Sequence, residues 1–534
     1  MDNRILFENG TIITMDRKTP LAHNLLVQDD TIMGVNVNNA GLPDVTTYDL
    51  AGRTVMPGLN DSHIHLAVTG LKNLDMVDLQ GIKSLDDLKQ RVKKYIETHN
   101  IDKGEWVLGW GWRDSDFAPE EELQKQVLDD ISRQHPIFLT RICGHLGVLN
   151  SRALKESGIT ADTEVEGGVI ETDDRGRLTG VVSEKARKLV YDSVPEFSVD
   201  KIKEIIITGA EMFRRVGLTT VQTDDFAAFF GSKDKVMQAY RELAENNNLP
   251  IKVVLKARLE SPDEIDDFYS RYSRRSFSDH FTLGPVKLFA DGSLGAKTAA
   301  LEEAYVSEED NFGVMVEEKK QLEAKIETAF CNDIQVACHA IGDRAMEIIL
   351  DILEKMQSKY GKNGRQRIIH AQVTDLDLIK RMSALEVVAD VQPGFVGSEW
   401  DYARRVLGQS RSLNTYAWKT MMETGLTTAG GSDSPVESYD PWRGIRCAVT
   451  RQDNNDQPPG GWQPQEKVTL HEALKMYTVN SAYSCQKEDE IGRLAPGYKA
   501  DFIIVDENPH AIPPQELENI DVTTSVINGD IKEY

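Results

Sequence analysis

Two histidines one residue apart, His63 and His65, follow an apolar run that begins at Val55. Side chains at i and i+2 of a β-strand leave the same face, so both imidazoles would point together. Neutral imidazole is the commonest metal ligand in proteins, and two on one strand face supply half of a metal site. Alone, the pair reads equally well as strand-end surface histidines. Its company is more telling. Lys287 and Asp291 stand in Val286-Lys-Leu-Phe-Ala-Asp-Gly292, and His339 in Val336-Ala-Cys-His-Ala-Ile-Gly-Asp343. His370 stands in Arg367-Ile-Ile-His-Ala-Gln372, and Asp433 in Ala429-Gly-Gly-Ser-Asp-Ser-Pro435. Each of these residues could simply bond a loop or cap a helix. Four histidines and an aspartate that all close apolar runs form a ligand set for a divalent cation.

Such a set needs a frame that brings distant runs to one rim. Candidate strands lie at 54–60, 218–224, 251–257, 284–290, 334–339, 367–371, 387–392 and 427–431, with helical stretches between them. Alternating strand and helix argues for parallel α/β architecture, and eight such strands close into a TIM-like (β/α)8 barrel. Chemistry in these barrels sits at the C-terminal strand ends, where the candidate residues fall. Helices are expected over Ser198–Val216, 317–331, Ala345–Tyr360 and Leu470–Tyr483. The last opens with Thr469-x-x-Glu472, a capping-box spacing. Roughly 150 residues separate the first strand from the second, far more than a crossover needs. This interval, 70–215, is read as an inserted subdomain over the barrel mouth. Residues 1–55 alternate short apolar runs with turn formers such as Asn9-Gly10 and lack a helical period. Residues 485–534 hold matching runs, so the two ends are expected to pair into one small β-sandwich flanking a barrel of 56–484.

The 534 residues can bury a large core, and the net charge is −25. That balance argues against nucleic acid or an anionic membrane surface as partner, since both require basic patches. The five cysteines include no C-x-x-C pair, which points to neither a disulfide framework nor a zinc ribbon. No secretion signal and no membrane span are read, so a cytoplasmic protein is the expectation.

The chain resembles the amidohydrolase superfamily, and within it the YtcJ-like branch that includes N-substituted formamide deformylases. The resemblance spans nearly the whole chain. It rests on Pro57-Gly-Leu-Asn-Asp-Ser-His-Ile-His65, Trp106-x-x-Gly-x-Gly-Trp112, Gly144-His-Leu-Gly-Val-Leu-Asn-Ser-Arg-Ala153 and Lys287-x-x-x-Asp-Gly-Ser-Leu-Gly295. Further matches are His339-Ala-Ile-Gly-Asp-Arg-Ala345, His370-Ala-Gln372, Gly431-Ser-Asp-Ser-Pro435 and Gly492-x-Leu-x-Pro-Gly-x-x-Ala-Asp501. It implies a barrel with a sandwich built from both chain ends. It also implies that His63 and His65 bind a more buried metal, and that His339 and His370 bind a more exposed one. Asp433 would ligate the buried metal and act as proton shuttle. Lys287 matches the position at which such enzymes carry a carbamate, a carboxylate that can bridge two cations. Two zinc ions are the first expectation, with Mn, Fe or Co as alternatives. The implied chemistry is hydrolysis of a non-peptide C–N bond, in an amide or N-substituted formamide, by metal-activated hydroxide. Two departures stand out. Ile369 occupies a place where relatives carry Glu, on the strand face that alternation turns away from His370, and Arg113 stands where relatives show Asp.

Trp110, Trp112 and His145 in the insertion, with Asp291, are the candidate substrate contacts, since aromatic walls with a few polar groups make small-molecule pockets. A deaminase, a lactonase, a carbamate hydrolase and a non-catalytic binding relative remain open on the same scaffold. A homodimer is the default for a soluble enzyme.

Overall fold

Eight parallel strands carry the candidate residues: β1 (Leu59–Ile64), β2 (Leu218–Thr223), β3 (Lys252–Arg258), β4 (Phe281–Phe289), β5 (Val336–Ala340), β6 (Arg367–His370), β7 (Val388–Val391) and β8 (Thr427–Gly430). They lie side by side in chain order. The last meets the first through Asp433 N–H donating to the His63 carbonyl at 2.8 Å and Ser62 Oγ donating to the Ala429 carbonyl at 3.3 Å. The result is a nearly closed barrel. Parallel strands covered on both faces need apolar residues on both, as in Val336-Ala-Cys and Val388-Ala. The computed structural model describes residues 4–534 except 39–43, 114–116, 119–120, 143, 145, 166, 230–231, 273–275, 307 and 363–364.

The first strand departs from the expected 54–60. Thr54–Pro57 joins another sheet, and the barrel strand begins at Leu59. The chain changes sheets at Gly58, where a Cβ would stand 2.1 Å from Thr219 Oγ1. Only glycine permits that approach. His63 therefore lies inside β1, and His65 comes one residue after its end. The expected helix Leu470–Tyr483 is also two: Leu470–Met476 and Val479–Ser484, separated by Thr478 at φ −130°, ψ −92°. The Thr469–Glu472 capping box is present.

Strands from both chain ends share one six-stranded sheet, in which Thr54–Pro57 pairs antiparallel with Phe502–Val505. A four-stranded sheet of N-terminal residues packs on it through Phe7, Leu25, Val27, Val55, Phe502 and Ile504. The inner strands Thr54–Pro57 and Phe502–Val505 are buried along their whole length, which is why they read as continuous apolar runs and not as an alternation.

The polypeptide divides into two compact units. One comprises Met1–Leu66, Ala210–Asp225 and Tyr240–Tyr534; the other comprises Ala67–Gly209 and Phe226–Ala239. The second unit has its own six-stranded mixed sheet, and Val107, Trp112, Ile137, Leu139 and Val148 contribute to one of its two apolar clusters. Among the described residues no helix is long and apolar enough to cross a membrane. Cys331, Cys338, Cys447 and Cys485 are free thiols.

Candidate metal centre

The C-terminal rim of the barrel gathers the predicted residues. His65 Nε2 lies 3.1 Å from Asp433 Oδ1, and His63 Nε2 lies 3.3 Å from the same oxygen. The ligand atoms of these three residues all fall within 4.8 Å of one another. Metal–nitrogen bonds of ~2.1 Å place neighbouring ligands roughly 3 Å apart, so this trio fits one divalent cation. The His370 ring centroid stands 5.7 Å from that of His63 and 4.5 Å from that of His339. Lys287 Nζ, inside β4, reaches to 3.3 Å from His63 Nε2. The structure thus brings His63, His65, Lys287, His339, His370 and Asp433 to one place.

Backbone strain marks the same rim. His370 (φ 78°), Ala371 (φ 44°) and Asp433 (φ 59°) all occupy the left-handed region. Non-glycine residues stay there only when surrounding structure holds them, and such residues cluster at functional sites. The strain at His370 has a purpose. Arg367 crosses the barrel interior to Gln222 Oε1 (2.7 Å) and the Ser62 carbonyl (2.8 Å), so simple alternation would turn His370 outward. The positive φ breaks that alternation and delivers the ring to the cluster.

Partners around each ring set which nitrogen is available. His65 Nδ1 donates to the Asp224 carbonyl at 2.9 Å, leaving Nε2 toward Asp433. His370 Nδ1 donates to Gln392 Oε1 at 2.7 Å, and His339 Nε2 donates to the Gly292 carbonyl at 2.9 Å. A ligand ring whose other nitrogen is fixed this way keeps one tautomer and one orientation. His63 is the exception. Lys256 Nζ stands 2.9 Å from its Nδ1 while Lys287 Nζ faces its Nε2. A neutral imidazole has one lone pair, so it cannot accept from two ammonium groups.

Electrostatics agree with a site short of negative charge. Burial lowers the Lys287 pKa to about 8 and depresses Lys256 further, with the Arg367 guanidinium adding to the latter. Burial also drives His63 and His339 well below the usual range, with Lys256 adding for the first and His370 for the second. Burial takes His370 to about 4. His65 goes the other way: burial opposes its proton, but the Asp433 hydrogen bond and charge outweigh burial. Asp433 is in turn held at about 2, since His65 and neighbouring cationic groups overcome its own burial.

Several members of the site escaped the sequence reading. Lys256, Asp224, Gln392 and the interior pair Arg367–Asp390 were not singled out. A lysine between Leu255 and Ala257 in a strand covered on both faces is itself a signal, because buried lysines are rare without a partner. Asp61 is another, fully inside β1, where it accepts from the backbone N–H groups of His63 and Ser432 at 2.9 Å each.

The candidate substrate contacts are placed differently. Asp291 is buried, and its carboxylate accepts N–H groups from Ala300 (3.0 Å), Ile341 (3.0 Å) and Gly342 (2.8 Å), organising the turn that follows His339. Trp112 is buried in the core of the second unit beside Phe117, and Trp110 is half-buried above Gly144 in that unit. His145 lies outside the described residues.

The sequence profile of the amidohydrolase family matches residues 46–531. The YtcJ protein of Bacillus subtilis (strain 168) is 33% identical over 534 residues, covering 99% of each chain. An N-substituted formamide deformylase of Arthrobacter pascens is 26% identical over 550 aligned residues, covering 99% of this chain and 98% of its own. The crystal structure of an uncharacterized metal-dependent hydrolase from Pyrococcus horikoshii OT3 superposes with a TM-score of 0.79 at 28% identity, over 96% of this chain and 99% of that one. On the family match over residues 46–531 and the relative aligned over 99% of both chains, this chain belongs to the amidohydrolase family.

Proposed function

We propose that this chain is a metal-dependent hydrolase of a non-peptide C–N bond, in an amide or N-substituted formamide. The observation that carries the reading is the convergence of His63 Nε2, His65 Nε2 and Asp433 Oδ1, with Lys287, His339 and His370 beside them. His63, His65 and Asp433 would hold one divalent cation, zinc by their donor types, and His339 and His370 a second. Cations bound there supply Lewis-acid polarisation of a carbonyl and acidify water toward neutral pH. The protein's own groups do the rest. Asp433 is ionised at neutral pH and its backbone is tied to His63, so its carboxylate is poised to take a proton and pass it to a leaving nitrogen. Lys287 is buried, lacks a carboxylate at ion-pair distance among the described residues, and has a pKa brought down to about 8. A neutral amine is the form that adds CO₂, releasing one proton to solvent, so the same surroundings would favour a Lys287 carbamate as a metal ligand. The amidase reading also draws on the full-length similarity to the Arthrobacter deformylase.

Deamination at one metal is the second reading, favoured by the compactness of the His63–His65–Asp433 trio relative to the outer histidines. Elemental analysis with a panel of N-alkyl and N-benzyl formamides separates the two. Two metals per chain with formate release is expected for the wild type prepared with bicarbonate. Lys287→Ala should then hold at most one. One metal in both proteins, with ammonia released from aminated heterocycles, would overturn the amidase reading.

A further inference from the structure

A further carboxylate stands at the same rim, with no Lys or Arg at ion-pair distance among the described residues. Glu399 lies on the helix Gly394–Ser412 that follows β7, one turn beyond Phe395, whose ring lies over His370 at 6.1 Å and 16°. Its Oε2 accepts from Tyr416 Oη at 2.7 Å and Gln372 Nε2 at 2.9 Å. Gln372 also donates to Tyr416 Oη, and its carbonyl accepts the Tyr416 N–H at 3.0 Å. Both partners are buried, so this oxygen is fixed in place.

The other oxygen is not. Among the described residues, no hydrogen bond engages Glu399 Oε1 and no Lys or Arg pairs with the carboxylate. Gly295 is exposed, and a Cβ built on it would meet only Oε1, at 4.0 Å, so this oxygen borders the solvent-facing side of the Asp291–Gly295 loop. Tyr402, one turn further along the helix, donates to the Gly295 carbonyl at 2.9 Å and ties the loop to the helix beside this oxygen. Gly292 of the same loop receives His339. Both segments that flank Oε1 therefore also touch the outer histidines. A partly buried carboxylate held by neutral donors loses hydration without gaining a counter-charge, which is costly unless a ligand supplies one.

We infer that Glu399 is a specificity-determining residue that receives a protonated amine of the substrate through Oε1. The inference rests on the hydrolytic reading for the identity of the molecule bearing that amine; the binding site itself does not depend on turnover. The substrate class then narrows to amides bearing an ammonium group, the cation held by Oε1 at the exposed edge beside Gly295 while the carbonyl faces the histidines.

Binding of benzylammonium and of benzyl alcohol to the zinc-loaded full-length chain at neutral pH, measured by calorimetry, tests this directly. A charge-assisted hydrogen bond predicts that the ammonium binds roughly tenfold or more tightly than the alcohol. Glu399→Gln keeps an acceptor for Tyr416 and Gln372 and should abolish the preference with zinc content unchanged. Gly295→Ala, which places a methyl group 4.0 Å from Oε1, should weaken the ammonium selectively. Equal binding of the two ligands by wild type overturns the inference. So does a preference that survives Glu399→Gln, since it would report the amine ligating zinc. Formate release from the formamide panel, extended with N-(aminoalkyl) and aminomethylbenzyl formamides that carry an ammonium group, is scored separately: a chain that shows the Glu399-dependent preference but hydrolyses none of them sinks the hydrolytic reading and keeps this site.

Discussion

Lys252 and Lys256 lie four residues apart on β3, both buried, in opposite surroundings. Lys252 forms a buried ion pair with Asp501, whose other oxygen accepts the Asn528 N–H at 2.8 Å. Lys256 meets the Ser62 carbonyl at 2.7 Å and an imidazole nitrogen of His63, with Lys287 on that ring's far side. One end of the barrel pairs its charge with a carboxylate. The other gathers amines and imidazoles around Asp433. Barrel folds separate stability from chemistry in this way, with function at the C-terminal rim. Groups with displaced pKa values mark the functional end.

The comparison can be broken at three points. The largest effect belongs to Asp433→Asn, which keeps the shape but removes the charge that takes a proton. Hydrolysis of the best formamide should fall about 10²–10⁴-fold while the urea midpoint scarcely moves. A variant that retains activity would remove Asp433 from the chemistry. Next comes Lys252→Met, which leaves Asp501 buried without its cation. Urea unfolding should show a loss of about 3–5 kcal/mol, with metal content intact. The smallest effect on stability is expected at the rim. Lys287→Met in metal-free protein removes a buried amine that has no carboxylate partner, so unfolding free energy should stay within about 1 kcal/mol of wild type or rise. A cost matching that of Lys252→Met would mean that the rim, too, is built for stability.

Much of this was legible before any coordinates. Eight apolar runs with helical stretches between them announce a parallel barrel, because strand and helix periods are local properties of the chain. The residues at or just past the ends of those runs name the rim, which is why His63, His65, His339, His370 and Asp433 emerge together, while Lys287, inside its strand, gains its role from the family resemblance. Less legible was the change of sheet at Gly58. The run from Val55 to Leu59 is continuously apolar, and nothing in it reveals that Thr219 crowds the backbone at one position. Trp112 illustrates the reverse problem: the aromatic that reads as a pocket wall is buried in its own unit's core, and residue type alone does not distinguish the two.

By itself the sequence determined the candidate side chains, their spacing and the frame that gathers them, since these follow from side-chain chemistry and short-range periodicity. Only the tertiary structure decided that His370 turns inward through a left-handed φ of 78°. Only it set Lys256 and Lys287 on opposite nitrogens of His63, and Glu399 beside the rim with one oxygen held by Tyr416 and Gln372. Those contacts join residues tens to hundreds of positions apart. Their energies depend on burial and on barrel closure, neither of which any local window of the chain contains.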